Sequence, residues 1–144
     1  MVKRDYLGKN DANAGRRRAG GVAASLDGIR RQRLRDGTPI YRDDAILDYP
    51  QSGERIRGRH NIQASRTAQP NTKRFTLRRM LGGGDLWITE LVMTYDSQPF
   101  YVVSIMEFEG TQVVHETQYF SDAFEPGPSR AQWVERMSET PAGS

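Results

Sequence analysis

The residue types able to move a proton or to hold a polar ligand fall at two places, Asp48-Tyr49 and the stretch from His115 to Asp122. His115 stands in His115-Glu116-Thr117-Gln118-Tyr119-Phe120, an alternating run that reads as a strand. An imidazole titrates near neutral pH, so His115 is the side chain best suited to general acid–base work. Tyr49 and Tyr119 could donate hydrogen bonds to a carbonyl or enolate oxygen. Asp48 and Asp122 could serve as bases if an apolar surrounding raised their pKa values. Each has a plainer role open to it. The histidine could be satisfied by a serine, the tyrosines could be core rings with hydroxyls at the rim, and the acids could be surface or capping groups.

Other chemistries are excluded by composition or spacing. There are no cysteines, which removes disulfides, thiolate metal sites and cysteine nucleophiles. Two histidines, His60 and His115, cannot build a histidine-rich cage, and Asp43-Asp44 resembles a metal pair only superficially, so no metal and no cofactor are expected. Gly82-Gly83-Gly84 is followed by a strand and by no Lys-Ser/Thr, so it is not a phosphate loop. Ser104 with His115 lacks a third member for a hydrolase triad.

The chain has 144 residues, room for one domain. Its net charge of +3 hides an asymmetry: residues 1–36 hold ten Lys/Arg against four Asp/Glu. This arm, with Arg16-Arg17-Arg18, reads as a basic, poorly ordered segment or a divergent N-terminal helix. With one tyrosine as its only aromatic and no binding module, nucleic acid is not the expected partner. Val22, Leu26 and Ile29 form one helical stripe, which predicts a weak helix over about 22–35. No apolar run is long enough to span a membrane and no secretory signal is visible, so a soluble, cytoplasmic protein is expected.

Beyond Gly37-Thr38-Pro39 the pattern is strand-rich, over 37–138, with 139–144 as a flexible tail. Strands are predicted at 45–49, 75–81, 85–95, 100–108 and 112–120, with a helix at about 59–68. Ser129 followed by Gln132 fits a capping box for a helix through about Met137. Taking Ser97-Gln98 and Glu109-Gly110 as hairpin loops sets the register. One face then carries Trp87, Thr89, Leu91, Met93, Phe100, Ser104, Met106 and Thr117, with His115 opposite Ser104 and with Tyr119. That face lacks carboxylates, so it is predicted to be the interior and to contact a ligand. Glu90, Glu107 and Glu116 fall on the other face, which should be partly wet, with an aliphatic strip (Val92, Val103, Ile105, Val114) suited to a second subunit.

The segment Tyr41-Arg42-Asp43-Asp44-Ala45-Ile46-Leu47-Asp48-Tyr49-Pro50, then Ser52-Gly53, then Ile56-Arg57-Gly58-Arg59-His60-Asn61-Ile62, resembles the opening of the nuclear transport factor 2-like superfamily. It is similar in particular to the SnoaL-like group, which includes proteins like polyketide cyclases and ketosteroid isomerases. The end of the chain, His115 to Phe120 with Asp122, Phe124 and Arg130-Ala131-Gln132-Trp133, resembles that group's last strand and helix. The resemblance covers about residues 40–137. It implies an α+β fold: a curved antiparallel sheet forming a cone, with helices packed on the concave side. It also implies a homodimer and a pocket for a small apolar molecule, with acid–base isomerase, cyclase or dehydratase chemistry on a ring-bearing carbonyl compound. The alternative is a non-catalytic ligand-binding or dimerisation module. Where isomerases carry a carboxylate before the strand-ending proline this chain has Tyr49, and Ser121 stands where related enzymes often have an aspartate.

Overall fold

Apolar alternation needs a surface to cover, and among the described residues six strands and two α-helices supply it. In a computed structural model, residues 25–36, 40–68 and 73–138 are described. The Arg16–Arg18 run, Val22, the Gly37–Pro39 breaker and the tail at 139–144 lie outside the described residues. The order is α1 (Leu26–Arg35), β1 (Tyr41–Tyr49), β2 (Glu54–Arg57), α2 (Arg59–Thr67), β3 (Lys73–Gly83), β4 (Leu86–Tyr95), β5 (Gln98–Glu109) and β6 (Gln112–Asp122). A six-residue 3-10 helix, Pro128–Trp133, follows.

The strands form one curved, open sheet in the order β2-β1-β6-β5-β4-β3. The fold is α+β, as the cone architecture requires. One pairing departs from the antiparallel expectation: β1 runs parallel to β6. Between them the chain passes through β2 and α2 to β3 at the far edge, then returns through β4 and β5 to place β6 beside β1.

Two glycines are demanded by geometry. Gly58 opens α2 at φ 89°, in the region that favours a residue without Cβ. At Gly82 a Cβ would stand 2.2 Å from the Leu86 carbonyl oxygen, so no side chain fits in that close approach of β3 to β4. Ile62, four residues after Gly58, is fully buried and anchors α2 against the sheet. The core joins it to Leu34, Tyr41, Ala45, Leu47, Trp87, Met106, Phe108 and Val113.

The β4–β5 turn is Asp96-Ser97, not Ser97-Gln98, because Tyr95 pairs with Gln98. That shifts the register by two, which leaves the faces unchanged. The β5–β6 pairing starts in the expected parity, with Phe108 opposite Val113. Between Glu107 and Phe108 the register then slips by one, at a β-bulge that takes up Val114. Every side chain of β6 beyond the bulge therefore lies on the face opposite to the expected one. Glu116 pairs beside Met106 and Gln118 beside Ser104, both inside; His115 pairs beside Glu107, outside.

The expected helix to Met137 is replaced by the 3-10 turn, with no side-chain cap. Prolines 126 and 128 and the lack of buried side chains there give an α-helix nothing to fold against. In α1, the predicted stripe of Leu26 and Ile29 is not the buried one. Leu26 is exposed, while Arg30 and Leu34 are buried. Arg30 fastens α1 to two turns: Nε donates to the Gly110 carbonyl at 2.7 Å and Nη1 to the Gly84 carbonyl at 2.6 Å. No described helix is long and apolar enough to cross a membrane.

Candidate functional site

The concave face of the sheet, closed by α1 and α2, encloses a cavity of about 840 Å³. β3, β4 and β5 present Phe75, Leu77, Leu91, Met93, Phe100, Val102 and Met106 to it. These positions alternate along strands that pair Met93 with Phe100 and Leu91 with Val102, so the lining is a direct product of strand period. Two edge-to-face aromatic pairs stand in this wall, Tyr49 with Phe120 at 5.9 Å and Tyr95 with Phe100 at 5.3 Å between ring centroids.

One polar cluster interrupts the apolar lining. Glu116 is 1% exposed and accepts from three side chains. Ser104 Oγ donates to Oε1 at 2.8 Å, Arg66 Nη2 donates to Oε2 at 3.1 Å, and the Tyr41 hydroxyl donates to Oε2. The Arg66 guanidinium also lies 5.2 Å from the Tyr41 ring centre, within cation–π range. Four elements meet here: β1 gives Tyr41, α2 gives Arg66, β5 gives Ser104 and β6 gives Glu116. Burial pushes the Tyr41 hydroxyl far above its ordinary range, and the Glu116 charge adds to that, so Tyr41 remains a donor. Burial also raises Tyr49. For Arg66 burial is the largest influence and works against the charge, but Glu116, Tyr41 and Tyr49 together outweigh it and the guanidinium is raised. The cluster is therefore a buried ion pair with its acceptors filled, as burial of charge requires.

Of the expected ligand contacts, Thr89, Leu91, Met93, Phe100, Ser104 and Met106 line the cavity. Trp87 faces inward too, but at 1% exposure it lies in the core, its Nε1 donating to the Gly84 carbonyl at 3.0 Å. Thr117 lies outside, beside Asp48 in the β1–β6 pairing. Among the expected catalytic residues, Tyr49 lines the cavity, whereas His115, Tyr119 and Asp122 do not. His115 sits on the outer face between two carboxylates, with Nε2 at 2.9 Å from Asp48 and Nδ1 at 2.7 Å from Glu107. Arg55 Nε donates to the same Asp48 at 2.6 Å, and together with His115 it holds that carboxyl down to about 2. Tyr119 is exposed on the outer face and Asp122 is exposed at the end of β6.

Glu116, Arg66 and Tyr41 were not legible as site residues. A carboxylate on a strand reads as solvent-facing unless its donors are known, and those donors come from distant segments. The one signal was in the pattern itself: Glu116, Gln118 and Phe120 share a face at period two, and Phe120 belongs with the apolar set. Among the described residues, no group of three or more acids and histidines is placed to hold a metal ion.

No family model and no curated protein matches the chain. Solved structures do. An NTF-2 like protein of unknown function from Burkholderia xenovorans LB400 is 50% identical, with 78% of this chain and 87% of that chain covered and a TM-score of 0.63. A protein from Kribbella flavida DSM 17836, provisionally assigned as a ketosteroid isomerase, is 23% identical, with 82% and 87% covered and a TM-score of 0.65. A provisionally assigned SnoaL-like polyketide cyclase from Jannaschia sp. CCS1 is 10% identical, with 70% and 91% covered and a TM-score of 0.55. The last two establish likeness of fold alone.

Proposed function

The chain belongs to the nuclear transport factor 2-like family, and on that premise we propose that its cone binds a ring-bearing, mainly apolar small molecule. The observation that carries this reading is a cavity of about 840 Å³ with aromatic and aliphatic walls and a single buried polar cluster. Volumes of that order accommodate a drug-sized molecule, and few convergent polar groups in an apolar wall are what fixes orientation in such sites. The apolar body of the ligand stacks among Phe75, Tyr95, Phe100 and Phe120. Its hydroxyl or carbonyl end meets the Ser104, Gln118 and Arg66 side of the wall.

Acid–base chemistry on a carbonyl compound is the second reading. Glu116 inside the cavity favours it, since a carboxylate in an apolar cone is a natural place to take up a proton. Ser104, Arg66 and Tyr41 already occupy that carboxylate, which puts binding ahead of turnover. Dimerisation through the outer sheet face accompanies both readings. Tyr101, Val103 and Tyr119 are exposed there, and apolar groups clustered on a sheet face suit a second subunit.

Titration with acetylnaphthalene, followed by native mass spectrometry, tests the binding reading. The wild type should take up one molecule per chain. Leu91→Trp, which fills the cavity, should weaken uptake by about tenfold or more while the fold is retained. Equal uptake by both proteins would remove the cavity as the site.

A further inference from the structure

The wall of the cavity carries an unequal set of charges. Among the described residues, Glu54 and Glu116 are its carboxylates and Arg66 is its cation. The Arg66 charge is directed at Glu116, with Nη2 at 3.1 Å from Oε2 and 3.4 Å from Oε1. A guanidinium in an apolar pocket would ordinarily be the natural receptor for a ligand carboxylate, because its planar fork matches the anion. Here that role is already filled from within the protein. Glu116 is 1% exposed, while the Arg66 side chain is 35% exposed, so the carboxylate is the member of the pair that solvent cannot screen. A ligand anion brought to Arg66 meets a second negative charge at contact distance, in a water-poor wall where like charges repel most strongly.

Resting on the binding reading above, we infer that Glu116 is a specificity-determining residue that makes the cavity select ring compounds with an uncharged polar end and reject their carboxylates. Glu54, exposed at the mouth, acts in the same direction on an approaching anion. Ser104 serves a second purpose: its hydroxyl donates to Glu116 at 2.8 Å, leaving its oxygen lone pairs to accept from a ligand hydroxyl. Specificity of this kind comes from a repulsive element built against the competitor as much as from attraction to the preferred ligand.

The test uses a matched pair, a naphthol and the naphthoate of the same skeleton, titrated against the full chain at neutral pH by calorimetry. The wild type should bind the naphthol more tightly by about tenfold or more. Glu116→Gln keeps the shape, removes the negative charge beside Arg66 and should raise naphthoate affinity relative to naphthol by about tenfold. Arg66→Gln should move the ratio the other way, and it decides the matter if Glu116→Gln does not fold. Leu91→Trp should weaken both probes, which ties the measurement to the cavity. A wild type that prefers naphthoate, or a ratio unmoved in the folded variants, would overturn the charge selectivity and leave the binding reading standing. If neither probe binds wild type, the binding reading itself fails.

Discussion

Glu116 has exchanged water for three protein donors, and the cost of disturbing it follows from that exchange. Truncation by Glu116→Ala leaves the Tyr41 and Ser104 hydroxyls and the Arg66 guanidinium without their acceptor. Breaking a buried charged pair from one side costs about 3 kcal/mol or more, the lower figure applying because Arg66 can regain some water. Urea denaturation should show that loss, with a smaller one for Glu116→Gln, which keeps an acceptor. A variant as stable as wild type would mean that the cluster carries no net stability. Asp48 on the outer face makes a different prediction. Its carboxyl lies near 2 in the folded state, against an ordinary value of 3.8, chiefly through Arg55 and then His115. A depressed carboxyl contributes stability that is present above the unfolded value and lost as pH falls through the folded one. Stability measured against pH should therefore fall as pH drops from 3.8 toward about 2, and Arg55→Gln should flatten that slope. An unchanged slope in the variant would sever the link.

At the scale of elements, β3 to β6 and the end of β1 were legible, whereas β2, in a stretch that reads as a polar loop, and the bulge at Val114 were not. Alternation located β3 to β6 because each buries one face, and the stretch ahead of Pro70 read as a short helix is α2, whose Ile62 reaches the core. A two-residue error at the Asp96-Ser97 turn did no harm, since side chains repeat every two residues. The extra residue at Val114 did, since a slip of one turns the rest of β6 over and exchanges His115 for Glu116 inside the cone. Nothing local in Val113-Val114-His115 marks it: Val113 and Glu116 become interior together only because Phe108, Met106 and Leu47 stand opposite them. The buried arginine of α1 escaped for a similar reason, its partners being the Gly84 and Gly110 carbonyls and the Asp27 and Asp85 carboxylates. Arg30→Ala should cost about 3 kcal/mol, the worth of two carbonyl bonds to a charged donor, the exposed Asp27 and Asp85 adding little. Hydrogen exchange should show α1 opening before the sheet does; uniform loss of protection would contradict its role as a local fastener.

At the scale of the molecule, the cone, its cavity and its bare outer face form one arrangement: the curvature that makes room inside also leaves Tyr101, Val103 and Tyr119 facing out. If that face joins two subunits, sedimentation should give a dimer for the wild type and a monomer for Tyr101→Glu; a monomeric wild type would set the interface aside. The family could be recognised from the sequence because its pattern lies in local turns and strand ends. The site could not be read in full, because it is assembled from β1, α2, β5 and β6 across a bulge. If a ligand enters between these elements, the methionines report on it directly. Met93 and Met106 line the cavity, whereas Met137 is exposed on the C-terminal segment. With isotope-labelled methionine methyl groups, titration with acetylnaphthalene should shift Met93 and Met106 and leave Met137 in place. Shifts confined to Met137, or no shift at Met93 and Met106 at saturation, would contradict the account.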